Sequence, residues 1–433
     1  MIQSEENHKV YKIALLVSLA CVLQISESLI PHPIPGLRLG LANMVTLTAL
    51  VTLGFGYALQ IAILRTILSS FIMGTFMSPT FILSFSGAVI STLVMGLFYW
   101  LSSFHKHYRL SIIGISIVGA LSHNIVQLHL AYAILVRHRG IFAFLPWLSV
   151  GAVITGWFTG LVAGGVCRKL KEIQKQEVLI GMQPDFPVPL VNHYVAGNSL
   201  LHRLPAEIKI ASIFILSLLI LVLNSLLLYA GLFFFLSLVV ISSRTSLAFL
   251  YSRAKRYTSL VLVAFLLPLF FNSGTHILLN IPYLKITHEG LSTGTVFAFR
   301  ILFLILSSSL LMRTTSPEEM TTGLGKVLAP LRCLGISEKR VATILYLSWT
   351  AIPFIWEKAR LTIRAANLRK TKNFHKLIPL LSNLIASLYL ETEPESRPGK
   401  NASAEQEKRV IGRDTPKKTY MDSPPLPLTK EAC

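Results

Sequence analysis

Apolar runs about one bilayer long, broken by short polar connections, pattern most of this chain. In its first part they fall at 13–30, 57–73, 81–101, 110–136 and 148–167, with a further apolar stretch, LGLANMVTL, after Arg38. A helix needs about 20 such residues to cross the hydrocarbon core, so this part predicts roughly six membrane helices. Pro31, Pro33 and Pro35 close the first, because proline cannot continue a helix. Between 168 and 201 the composition turns to Lys, Glu, Gln and Pro, as in a cytoplasmic linker. Apolar runs resume at 208–222, 226–241 and 260–271, then a polar loop spans 272–287, and the run GLSTGTVFAFRILFLILSSSLLM follows. The pattern predicts an all-α polytopic membrane helical bundle in two halves. Its divisions are a membrane domain over 1–170, a linker over 171–201, a second membrane domain with cytoplasmic helices over 202–391, and a tail over 392–433 too poor in apolar residues to build a core.

Residues 316–376 depart from that rhythm by mixing charge with apolar residues at helical spacing. Ser316 predicts an N-cap, with Pro317 in the first helical position and Glu318 and Glu319 in the first turn, where the helix dipole favours anions. Leu324, Val327, Leu328 and Leu331 then share a face, and Gly335 stops the helix before a second start at Ser337-Glu338. The second helix is longer. Val341, Ile344, Leu345, Leu347 and Trp349 make its first half apolar, while Lys358, Arg360, Arg364, Arg369 and Lys370 make its second half basic. Such helices suit the cytoplasmic membrane face, half in lipid and half against another protein.

Composition narrows the class. Of 433 residues 53% are hydrophobic and 14% charged, against about 25% charged in soluble domains, which excludes a soluble globular protein. A net charge of +20 would point to nucleic acid in a soluble chain. Here the Lys and Arg lie between apolar runs, as cytoplasmic loops require, and no nucleic-acid partner is expected. Lys9, Lys12, Lys106, Arg109 and the Arg168–Lys171 run place the N-terminus inside, with Arg38, Arg137 and Arg139 on the other side. The polar N-terminus runs into the first span without a small-residue cleavage site, so that span is read as an uncleaved helix. Cys21, Cys167, Cys333 and Cys433 stand far apart, so neither a disulfide framework nor a metal site is expected, and no cofactor. Gly323-Leu-Gly325-Lys326 imitates a phosphate loop but lacks the earlier glycine and carries Val327 where Ser or Thr would hold magnesium. The chain therefore carries no ATPase of its own.

Polar residues inside the spans are the candidates for chemistry. His123, Asn124 and Gln127 fall within about one turn of one helix, and Asn43 and Thr46 share a face of another. An amide or imidazole facing lipid is costly, so these face the bundle interior, either as solute contacts or as interhelical hydrogen bonds. Arg65 either meets an anionic solute or snorkels to the interface. Ala14 and Ser18, one turn apart, form a small-residue pair that lets another helix approach closely.

Two family resemblances follow from quoted residues. The runs LGLANMVTL, GTFMSPTF and GALSHNIVQLHLAY, between positions 9 and 170, resemble the Gx transporter family, often labelled heptaprenyl diphosphate synthase component I, whose shape is that of a substrate-binding S component. In such components a small-residue stripe on the first helix meets the T component, which implies an S–T interface at Ala14 and Ser18. The synthase label does not suit the residues, because prenyl transfer needs clustered aspartates to hold magnesium. Asp185, Asp414 and Asp422 stand alone.

The second half resembles the transmembrane T component of energy-coupling factor transporters, bacterial uptake systems for vitamins and metal ions. SLLHRLPAEIKI is similar to the family's opening, with Pro205 where aspartate is expected, and the run containing Arg300 up to Thr314-Thr315 matches strongly. Ile352-Pro353, Glu357, Ala365 and Arg369 fit the family's coupling motif, with Lys370 in place of its glycine. The resemblance implies docking onto two cytoplasmic ATP-binding-cassette ATPase subunits, a small-molecule solute, and a multi-pass place in the bacterial cell membrane. After 390 the second docking motif and final span of the family are missing. Two readings stand: an importer component fusing solute binding with coupling to separate ATPases, or a membrane accessory of isoprenoid or quinone biosynthesis without transport.

Overall fold

The computed structural model describes residues 2–28, 40–104, 110–136, 139–173, 197, 199–243, 245–271, 276–281, 284–327, 338–365 and 377–390. Helices α1 (Ile2–Ser28), α2 (Leu41–Thr52), α3 (Phe55–Met73), α4 (Pro79–Phe104), α5 (Ile112–Leu130) and α6 (Leu145–Ile173) build the first half. A π-helical turn, Ala131–Val136, extends α5, and a 3₁₀ turn, Arg139–Phe144, leads into α6. The second half holds α7 (Leu200–Arg203), α8 (Ala206–Val222), α9 (Leu226–Ser243), α10 (Leu247–Arg256), α11 (Thr258–Phe271), α12 (His288–Thr314), α13 (Pro317–Val327), α14 (Glu338–Ala365) and α15 (Leu377–Leu390). Among the described residues seven helical segments are long and apolar enough to cross a membrane, or eight if the bent pair α10–α11 is one span. The all-α class expected from the apolar rhythm is what forms.

The elements depart from the expected spans in instructive places. The polar loop between α11 and α12 contains a small antiparallel hairpin, β1 (Ile277–Ile281) with β2 (Leu284–Thr287), in which Ile281 pairs with Leu284 and Asn280 with Lys285. Thr287 then caps α12, its hydroxyl accepting from the Gly290 amide at 3.1 Å. The run after Arg38 becomes a helix of only 12 residues, α2, folded back on α3 through a turn at Leu53-Gly54. Ser316 and Glu319 form a reciprocal capping box: the Glu319 amide donates to the Ser316 hydroxyl (3.2 Å), and the Ser316 amide to the Glu319 carboxylate (3.1 Å). Leu328, Leu331 and Gly335, read as the rest of that helix, lie outside the described residues. Helix α14 runs through Pro353 without ending.

Residues Met1–Thr392 form one compact body; Glu393–Cys433 lie outside the described residues. The body has two apolar cores, and both draw on each half of the chain. In the first, α1, α2, α3 and α6 pack with Ile210, Leu311, Met320, Leu324 and the buried faces of α14 and α15. In the second, Tyr229, Leu232, Phe297, Ile301 and Phe303 pack with Leu128, Ile141 and Leu148. Burial of this kind holds the halves together by packing, since lipid supplies no hydrophobic drive between membrane helices.

Candidate functional site

The junction of α1 with α14 carries the residues expected at an S–T interface. Ala14 and Ser18 are buried there, and Ser18 is 0% exposed. The Ser18 hydroxyl reaches the Ala14 carbonyl of its own helix (2.7 Å) and the Ser348 carbonyl of α14 (2.9 Å). In return the Ser348 hydroxyl reaches the Ala14 carbonyl (3.0 Å) and its own Ile344 carbonyl (2.6 Å). Small side chains let the two backbones close, and the hydroxyls bond across them. Helix α15 packs beside the contact: the Lys12 ammonium of α1 sits 3.9 Å from the Tyr389 ring centre, and the Ser382 hydroxyl donates to the Val162 carbonyl of α6 at 3.2 Å.

Farther along α14 lie two of the residues expected to meet the ATPases, Glu357 and Ala365. Glu357 is partly exposed and stands 3.5 Å from Arg360, one turn away on the same helix. Ala365 is the last residue of α14, and Arg369 lies outside the described residues. Helix α13 is tied to α8 by an ion pair, Lys326 to Glu207, at 3.0 Å. The Glu207 carboxyl is held below the usual carboxylate range, first by its own backbone amide at the start of α8 and then by Lys326.

The residues expected to meet a solute have separate partners. Asn43 faces Arg65 across the α2–α3 hairpin, its amide oxygen accepting from the guanidinium at 2.6 Å. Arg65 also donates to Gln24 of α1 at 2.9 Å and is 4% exposed, so it stays in the interior and does not snorkel. Thr46 is buried and turns its hydroxyl to the Ala42 carbonyl of its own helix (3.5 Å). On α5, Asn124 donates to the Leu148 carbonyl of α6 (2.9 Å), and Gln127 to the Leu83 carbonyl of α4 (3.4 Å). The His123 ring lies over Gly87, where a Cβ would stand 2.8 Å away. Gly40, at the start of α2, stands beside Thr159, which bonds Ser116 of α5 at 2.6 Å. At 1.5 Å per residue, that level of α5 lies about 12 Å from Asn124 along the helix.

Several site residues escaped sequence reasoning. Glu27 is buried, and its carboxylate accepts from the Gly40 (2.8 Å) and Leu41 (3.1 Å) amides, giving α2 an anion at its N-terminus from another helix. Its signal was available: it is the lone acidic residue between 13 and 170. Arg253, two residues before Lys255, is 3% exposed and bonds the Met73 carbonyl at 3.2 Å. Arg300, 0% exposed, bonds the Ile134 carbonyl of the first half (2.9 Å), the Leu223 carbonyl (2.8 Å), the Asn224 side chain (3.0 Å) and the Tyr229 hydroxyl (3.4 Å). Among the described residues no three His, Cys, Asp or Glu side chains gather as metal ligands.

Comparison with known proteins divides the chain at the same linker. The family model described as heptaprenyl diphosphate synthase component I matches residues 16–166, and that described as cobalt transport protein matches residues 197–394. The second half is similar to the energy-coupling factor transporter transmembrane protein EcfT of Brevibacillus brevis, 31% identical over 215 residues, covering 47% of this chain and 80% of the relative. It is also similar to the proteins of that name from Listeria innocua and Bacillus subtilis, each 29% identical over 212 residues, with 47% of this chain and 80% of each relative covered.

Proposed function

Since the chain belongs, through its C-terminal half, to the family of energy-coupling factor transporter transmembrane proteins, we propose that it joins a solute-binding half to a coupling half in one multi-pass membrane importer component. The observation that carries the reading is the seat of α1 on α14: the helix expected to lead a solute-binding domain is bonded, through Ala14, Ser18 and Ser348, to the helix that carries the coupling motif. Movement of α14 therefore has a direct route into the first half.

Energy comes from separate ATP-binding-cassette subunits, because the chain has no phosphate loop of its own. In this reading Arg369 docks them by charge-assisted hydrogen bonds, Ala365 allows the close approach, and Glu357 with its neighbour Arg360 frames the contact. The first half supplies the solute site, with Asn43, Thr46, His123, Asn124 and Gln127 as its polar contributors. Asn43 is the member beside a buried guanidinium.

The test is a purification of the tagged chain from its own membranes. ATPase subunits are expected to be retained, and Arg369→Glu to lose them, since removing one side of such a charge pair costs about 2–5 kcal/mol. Equal retention by the variant would defeat the coupling assignment. A parent that retains no ATPase favours instead an accessory role beside isoprenoid or quinone enzymes.

A further inference from the structure

We propose that Arg253 and Arg300 form a clamp by which the second half holds the first by the carboxyl ends of two of its helices. The last carbonyls of a helix have no partner within it and carry the negative end of its dipole. A guanidinium seated there satisfies both. Arg300 projects from α12 into the interior, where an unsatisfied charge would be costly, and each of its nitrogens bonds an uncharged oxygen. Two of those oxygens close helix ends: Leu223, the C-cap of α8, and Ile134, in the π-helical turn that ends the α5 span. One side chain thus joins a helix end from each half.

Arg253 repeats the arrangement from α10. Its Nη1 donates to the carbonyl of Met73, the last residue of α3, and the Ser308 hydroxyl donates to the next carbonyl, Gly74, at 3.4 Å. Gly74 has φ of +68°, a backbone conformation strained for residues with side chains, and a Cβ there would stand 3.1 Å from the guanidinium and push Arg253 back. The first-half oxygens that these bonds reach, those of Met73 and Ile134, are both backbone carbonyls. The clamp therefore reads helix ends, and the identities of Met73 and Ile134 matter only as apolar filling. It lies apart from the α1–α14 contact and does not depend on whether ATPases bind.

The test uses the full chain with a protease site in the 171–201 linker, purified intact in detergent and then cut. The parent halves are expected to remain together after cutting. Arg253→Gln with Arg300→Gln is expected to weaken the association of the cut halves at least about tenfold, read as the dilution at which they separate, the scale of losing hydrogen bonds to a charged group. Met73→Leu with Ile134→Leu is expected to hold like the parent. Gly74→Ala attacks the Arg253 contact from the first half and is expected to weaken retention. If the double arginine variant aggregates before cutting, Arg253→Gln alone and Gly74→Ala give the answer. Retention at the parent level in these variants, or separation of the parent halves on cutting, would overturn the clamp. ATPase retention measured on the uncut parent separates that result from failure of the importer reading.

Discussion

At the junction of α1 and α14, two serines and an alanine leave room for little but their own hydroxyls. Ser18 and Ser348 are fully buried, each bonding its own helix and the other. Ser18→Leu should therefore destabilise the protein by about 1–3 kcal/mol through overpacking, more than Ser18→Ala, which removes only the hydroxyl. Thermal melting in detergent measures the order, and equal melting of the two variants would contradict it. On α5, Asn124 is held by a carbonyl of α6. Interhelical bonds of this kind average about 0.6 kcal/mol and reach about 1.7. Asn124→Leu should lower the melting temperature by that scale, and unchanged melting would argue that the amide is kept for something other than packing. The spacing of Ala14 and Ser18 was legible in sequence because helical periodicity alone puts both on one face. The burial of Arg65 and Arg253 was not, because each is fixed by carbonyls and amides of helices distant in the chain.

Elements were legible wherever local chemistry decides them. Apolar length announces the long spans, and Ser316 with Glu319 announces the start of α13, since a capping box needs only four consecutive residues. The hairpin between α11 and α12 and the docking of α15 against α6 gave no such notice, because pairing and docking depend on what the distant chain presents. The α8–α13 contact yields a pH prediction. The Glu207 carboxyl titrates below its unfolded value, about 4.3, because of its backbone amide and Lys326. Its contribution is complete above that unfolded value and is lost as pH falls through the lowered folded one. Parent and Glu207→Gln melting curves should thus differ at pH 7 and converge on acidification. High salt should narrow the gap too, since the pair is exposed. A gap constant across pH would remove Glu207 as its source.

For the whole molecule, the two apolar cores cross the linker that divides the chain by sequence. A half-by-half reading finds the families on either side and misses that the first core is completed by α13, α14 and α15. The central claim, that the first half rides on the coupling helix, has a direct measurement. Ser18→Cys with Ser348→Cys, in a chain whose four native cysteines are replaced and whose linker carries a protease site, is oxidised in membranes and then cut. The account predicts a disulfide that keeps the halves together on a denaturing gel and releases them on reduction, as the close approach of these positions requires. Halves that run separately after oxidation, with both cysteines still reactive, would contradict the seat of α1 on α14.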